Sequence, residues 1–271
     1  MSLLCQTLAV SVSGYYAWLQ RPMSDHQRKD GQLAERIQTA YQANRGVYGS
    51  PRIHALLQAQ GIQCGRKRVA RLMRELELAA RRPRHRTKTT HSDPNARVAP
   101  NCLDRDFTAM RPDEKWTGDI TAIWTYEGWL YLAAVLDLFS RRVIGWAMAA
   151  SADETLVEMA LRMALLQRTP QAGLVHHTDR GCHYTSHAYQ ALLAEMHFTV
   201  SMSRKGNCWD NAVTESFFGT LKSECVDLVS FQTRTEARQT VFEFVECFYH
   251  RVRLHSSLGY VSPVAFEQQN R

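Results

Sequence analysis

Apolar positions recur at a helical period in the first third of the chain, lose any period, return with strand character, and end in helices again. Residues 1–30 read as an N-terminal helical segment, and residues 32–43 can form a helix that Gly46 and Gly49 break. Ser50-Pro51 then marks a helix start, since a serine hydroxyl can cap free amides and proline at the first helical position loses no hydrogen bond. The helix PRIHALLQAQ runs to Gly61. After a short turn, RKRVARLMREL sets Val69, Leu72, Met73 and Leu76 on one apolar stripe, with Arg66, Lys67, Arg68, Arg71 and Arg74 largely off it. A helix, a turn and a basic amphipathic helix over 31–80 is the pattern of a helix-turn-helix DNA reader, whose second helix packs on one side and meets phosphates on the other. A solvated basic face is the other reading of the same pattern.

From Arg81 to Pro112 the text turns to RRPRHRTKTTHSDPNARVAP, rich in Pro, Thr, Ser and Arg, which predicts a basic linker over 81–112. Periodicity returns at Lys115 and changes in kind. KWTGDITAIWT, WLYLAAVLDLF and RRVIGWAMA are β-branched and aromatic runs that predict three consecutive strands. A helix follows, with Ser151 and Glu154 as a capping box and Leu156, Met159, Met163 and Leu166 on its inner face. GLVHHTD predicts a fourth strand, HAYQALLAEMH a helix and FTVSMS a fifth strand, before the amphipathic helices NAVTESFFGTLKSECVD and TEARQTVFEFVECFYHRVR. The order predicts an α/β fold, a mixed sheet with flanking helices over 113–230 and a C-terminal helical extension over 231–271.

Composition narrows the class. With 271 residues, 45% of them apolar, the chain can bury one substantial core and carry a smaller companion domain. It has no apolar run of the roughly 18 residues a membrane helix needs, and its N-terminus lacks a basic start and a cleavage site, so a soluble intracellular protein with no membrane partner is expected. The seven cysteines are scattered singly, with no zinc spacing. Charge is more telling: residues 1–100 hold 17 Lys and Arg against 6 Asp and Glu, whereas the other 171 hold 16 against 20. A basic part fit for a polyanion is joined to a part richer in carboxylates.

Three of those carboxylates stand where local structure puts functional groups. Asp119 lies within the first strand, Asp179 ends the fourth, and Glu215 sits on a helix with Asn211 before it and Lys222 two turns later on the same face. Ligands in such sheets bind beyond strand ends. Magnesium favours oxygen ligands, and two ions about 3.5–4 Å apart can stabilise both the attacking and the leaving oxygen of a phosphoryl displacement. Each residue also has a structural reading as a turn former or a solvated surface group, so taken singly they leave the choice open.

The surrounding text decides it. W-T-G-D-I-T, WLYLAAVLDLFSRRVIGW, H-T-D-R-G-x-x-Y-T-S and SMSRKGNCWDNAVTESFFGTLKSE resemble, in order, the insertion-sequence transposases of the IS-three type, in their downstream-frame product. VYGSPRIHALL with KRVARLMRELEL resembles that family's helix-turn-helix segment, and YHRVRLHSSLGYVSPVAFE its C-terminal signature, with His250 where asparagine is expected. The 35 residues between Asp179 and Glu215, followed by Lys222, match the spacing of integrases and their relatives.

The resemblance implies a ribonuclease-H-like core. It implies Asp119, Asp179 and Glu215 as catalytic metal ligands for two Mg2+ ions, with Mn2+ able to substitute. Lys222 becomes a DNA contact beside the reacting phosphate. It further implies a DNA-binding loop with Arg204, Lys205, Asn207 and Asn211, and Trp209 either stacked on a base or anchoring the Glu215 helix. His176, His177 and His183 could be read as metal ligands, but magnesium's preference for oxygen makes structural or supporting roles the expectation. DNA, an upstream-frame product and further copies of the chain are the implied partners, in a bacterial cytoplasm at the nucleoid. The rivals are an inactive DNA-binding regulator and a plain nuclease.

Overall fold

A strand alternating Thr117, Asp119 and Thr121 against Trp116, Ile120 and Ala122 sits at the centre of a five-stranded sheet. The computed structural model describes residues 1–81, 99–204 and 208–270, which form two compact units, 1–80 and 81–271. In the second unit β1 (Lys115–Thr125), β2 (Gly128–Asp137) and β3 (Val143–Ala149) form an antiparallel meander. Helix α6 (Glu154–Gln167) then crosses the sheet so that β4 (Val175–Thr178) pairs parallel with β1. Helix α7 (His187–Glu195) returns the chain to β5 (Thr199–Met202), which is parallel to β4, giving the order β3-β2-β1-β4-β5. This is the mixed α/β sheet the pattern predicts.

Helix α6 departs from its predicted face. Leu156, Val157, Ala160, Leu161 and Ala164 are buried, whereas Met159 and Leu166 are exposed. The cause is Gly145 on β3: a Cβ there would lie 2.1 Å from the Ala160 carbonyl oxygen, so the alanine side of the helix lies directly on the strand. The cap differs too. Asp153, not Ser151, accepts the Leu156 N–H, and the Ser151 hydroxyl donates to Asp153 at 2.6 Å. Around this contact Trp116, Ile144, Leu174, Tyr189 and Phe198 complete the main core.

Two buried histidines follow on β4. The His176 Nε2 lies 2.7 Å from the Tyr189 hydroxyl, and His177 sits between the Ser201 and Ser203 hydroxyls at 2.8 and 3.0 Å. Burial pushes the His176 imidazole down to about 3 from its ordinary value of 6.5. The folded protein therefore binds fewer protons than the unfolded chain below pH 6.5, and His176 removes stability as pH falls through the window from 6.5 to 3. At about 1.4 kcal/mol per pH unit, wild type should lose roughly 2–3 kcal/mol more than His176→Gln between pH 7 and pH 4.5, measured by urea denaturation. Parallel acid profiles for the two proteins would refute this.

Beyond the sheet lie α8 (Ala212–Glu224), α9 (Arg234–Phe242) and α10 (Pro263–Gln269). The expected single helix through 253 instead widens after α9 into a π-helical turn over Glu243–Tyr249. That turn brings in the C-terminal signature. His250, which replaces an expected asparagine, accepts the Val143 N–H at its Nε2 and pairs with Glu246 through Nδ1. Arg253 donates two hydrogen bonds to Glu224 on α8, at 2.7 and 2.8 Å, and both side chains are buried. Residues 99–112 have no regular structure yet pack on this unit: Leu103 is buried, and the Cys102 N–H donates to Ser201 Oγ. Residues 82–98 of the predicted linker lie outside the described residues.

The first unit contains α1 (Ser2–Thr7), α2 (Val12–Leu19), α3 (Asp25–Ala43), α4 (Ser50–Ala59) and α5 (Arg66–Glu75). Helix α3 starts earlier than its apolar pattern suggests, because Ser24 and Gln27 form a full capping box. At α4 the cap residue is Gly49; Ser50 lies inside the helix and its hydroxyl caps nothing. Val69, Leu72 and Met73 of α5 are buried and Leu76 is half-buried, as the stripe predicts. No helix among the described residues is long and apolar enough to cross a membrane.

Candidate active site

Strand register brings the two aspartates together. The last paired residues of β1 and β4 are Gly118 and Thr178, so Asp119 continues β1 where Asp179 follows directly on the end of β4. There β4 ends while β1 continues antiparallel to β2. Asp179 Oδ1 accepts the Gly181 N–H at 2.9 Å, and a Cβ at Gly181 would stand 3.0 Å from that oxygen. The glycine keeps the carboxylate in place at the start of the loop.

Glu215 faces outward from the first turn of α8, and Lys222 lies half-buried two turns further along. Their charges reach β1. Burial pushes the Asp119 carboxyl up, Asp179 and Glu215 push it further, and Lys222 opposes them. Tyr184, five residues past Asp179, is buried against Tyr189 and is pushed up by burial and by Asp119 and Asp179. Asp119, Asp179, Glu215 and Lys222 thus share one electrostatic neighbourhood, although among the described residues no three His, Cys, Asp or Glu side chains already converge into a formed metal cage. Their donor chemistry fits a hard divalent cation: oxygen ligands whose mutual repulsion a positive ion would relieve.

Buried hydrogen bonds tie α8 to β1. The Thr117 and Thr214 hydroxyls each donate to Asn211 Oδ1 at 2.9 Å, and the two hydroxyl oxygens are 2.9 Å apart. Asn211, expected as a DNA contact, is buried, and its Oδ1 accepts from Thr117 and Thr214 inside the protein. Arg204 is likewise engaged. Its backbone N–H and its guanidinium donate to the fully buried Asp210, which also accepts from Asn101 and Arg105. Those partners hold Asp210 well below the usual carboxylate range. The sequence reading assigned no role to Asp210, Thr117, Thr214 or Tyr184. All four lie within the quoted motifs, which was their one signal.

Trp209 is 67% exposed. Lys205 and Asn207 lie outside the described residues. His176 and His177 are buried on hydroxyl partners, and His183 is half-buried.

In the first unit, Arg66 and Lys67 are exposed at the start of α5. Arg68 and Arg71 both pair with Asp30 at 2.6 Å, and Arg71 also with Glu75. Two of the four cations expected at a DNA backbone are therefore already neutralised within the unit.

Residues 27–86 match the HTH-like domain family, and residues 109–208 and 215–270 match two integrase core domain families. The chain is 42% identical, over 98% of its length and 98% of the relative's, to the insertion element IS600 uncharacterized 31 kDa protein of Shigella sonnei. It is also 42% identical to transposase InsF for insertion sequence IS3A of Escherichia coli (strain K12), covering 98% of this chain and 93% of InsF. Among solved structures, the HTLV-2 integrase catalytic core domain in complex with magnesium (trimeric form) aligns with 59% of this chain and 99% of its own, at 16% identity and a TM-score of 0.45.

Proposed function

We propose that this chain, which belongs to the IS3 family of insertion-sequence transposases, performs its DNA transposition through Asp119, Asp179 and Glu215 as metal ligands, with Lys222 on the DNA. The observation that carries the reading is the strand register: Asp119 and Asp179 follow directly on the paired Gly118 and Thr178. The field of Glu215 and Lys222 at Asp119 supports it.

Two magnesium ions, replaceable by manganese, are the proposed occupants, and when bound they supply positive charge against the attacking and departing oxygens of a phosphodiester. The protein's part is orientation. Asp119, on a central strand, and Asp179, held by the Gly181 N–H, are fixed ligands. Glu215 and Lys222 share one helix face, so the same element presents a ligand and a cation for a non-bridging phosphate oxygen. Water first breaks a phosphodiester to free the 3′-hydroxyl of the element end. That hydroxyl then attacks a target phosphodiester, making one P–O bond as another breaks. Bond number is conserved in the joining step, so no nucleotide needs to be consumed.

DNA is held along its length by groups away from the chemistry. Arg66 and Lys67, exposed at the start of α5, are the proposed phosphate contacts, and Trp209 the proposed stacking residue for a splayed base. Fusion to an upstream-frame product and assembly of several copies on the two element ends complete the proposed machine.

The test is strand joining of labelled element-end oligonucleotides into plasmid DNA with magnesium or manganese, by this chain and by its fusion to the upstream-frame product. Joined products that vanish with chelator are expected. DNA binding without cleavage or joining in either form would overturn the site assignment, and cleavage without joining would reassign the site to hydrolysis.

A further inference from the structure

The two elements that carry Asp119 and Glu215 meet through a fully buried polar contact. Thr117, two residues before Asp119, lies on the same face of β1 by strand alternation. Thr214 directly precedes Glu215, and Asn211 stands one turn before it, at the cap of α8. Thr117, Thr214 and Asn211 are 1%, 0% and 5% exposed, and their three oxygen atoms form a triangle with 2.9 Å sides. An apolar contact would hold a strand and a helix at a given distance but would let them slide. A hydroxyl–amide triangle sets both distance and direction, because hydrogen bonds weaken steeply when bent or stretched.

We infer that Thr117, Asn211 and Thr214 are positioning residues of the transposase reaction, a strut that fixes Glu215 relative to Asp119 so that both reach the same divalent ion. This rests on the carboxylate assignment above. None of the three touches the metal or DNA; each acts through the carboxylate beside it. The strut is reinforced from the other side of the same turn. Asp210, adjacent to Asn211, gathers Asn101, Arg105 and Arg204, so the start of α8 is held at once to the sheet and to the 101–105 segment. Glu215 is itself exposed, and its place depends on how this turn is held.

Thr214→Val removes the hydroxyl at nearly constant volume, and Thr214→Ser keeps it. Losing a supporting partner of a metal ligand typically costs about 10–100-fold in metal affinity or activity. Thr214→Val is therefore expected to weaken Mn2+ binding by the DNA-free protein, read by calorimetry, and to slow joining, each by about tenfold or more. Thr214→Ser should restore both. A folded Thr214→Val protein that binds Mn2+ and joins DNA like wild type would overturn the strut. If the valine protein fails to fold, Thr214→Ala answers the same question, since alanine suits a helix. Asp179→Asn, run in parallel, separates the two ideas: normal Mn2+ binding and joining in that variant would refute the carboxylate assignment, whereas a normal Thr214→Val beside an inactive Asp179→Asn refutes the strut alone.

Discussion

Asp119→Asn is expected to abolish joining, by about a thousandfold or more, while leaving the metal-free protein as stable as wild type or more so. The first half follows from charge: metal ions supply several kcal/mol of transition-state stabilisation, and roughly 4 kcal/mol corresponds to a thousandfold in rate. The second half follows from Asp119's surroundings. Its carboxyl is pushed up by burial and by the neighbouring Asp179 and Glu215. A carboxyl whose folded pKa is raised contributes stability at low pH and loses it as pH rises through that raised value. Asparagine keeps the shape without the charge, so the gain in melting temperature should grow as the pH is raised towards neutral. A residue serving the fold would behave in the opposite way. Melting curves and joining assays on Asp119→Asn, Asp179→Asn and Glu215→Gln decide between them: normal joining in the asparagine variant would remove Asp119 from the site, and a marked fall in melting temperature would make it structural.

Gly145→Ala should be the most damaging single-methyl change in the core. The added carbon would stand 2.1 Å from the Ala160 carbonyl oxygen, 2.6 Å from the Ala164 nitrogen and 2.8 Å from its Cβ. Two of these are backbone atoms of α6, so no rotamer change relieves the clash. The helix must lift from β3 and open the core that Ile144, Leu156, Leu161 and Ala164 fill. Ordinary overpacking costs about 1–3 kcal/mol, and a clash with backbone should exceed about 3 kcal/mol, enough to leave much of the protein unfolded at 37 °C given typical domain stabilities. Chemical denaturation measures it. A loss below about 1 kcal/mol would mean that α6 slides easily over the sheet.

The site was legible in unequal parts. Asp119, Asp179, Glu215 and Lys222 were marked by motif and spacing, and the register of β1 with β4 and the field at Asp119 bring them into one neighbourhood. For the expected DNA contacts, sequence shows where a charge is and hides what it faces within the protein. Arg204 looked available until Asp210 was seen to hold it, and Arg68 and Arg71 until both were seen on Asp30. Asn211 was expected as a DNA contact of the loop before α8; in the fold its Oδ1 accepts from Thr117.

What the amino-acid sequence determined by itself was the local order: which runs are strands, which are helices, and that a basic helical part precedes an α/β part. Hydrophobic period and turn residues act over a few positions, so they survive in one dimension. Only the tertiary structure decided which face α6 buries, since that turns on a missing Cβ at Gly145 on another element. It also decided that the long C-terminal helix widens at Glu243–Tyr249 and that His250 can replace an amide by accepting the Val143 N–H. The partners of Arg204, Arg253 and Asn211 lie 6, 29 and 94 residues away in sequence. Pairings over distances like the last two are set when the sheet and helices close on one another, and no window along the chain contains both ends.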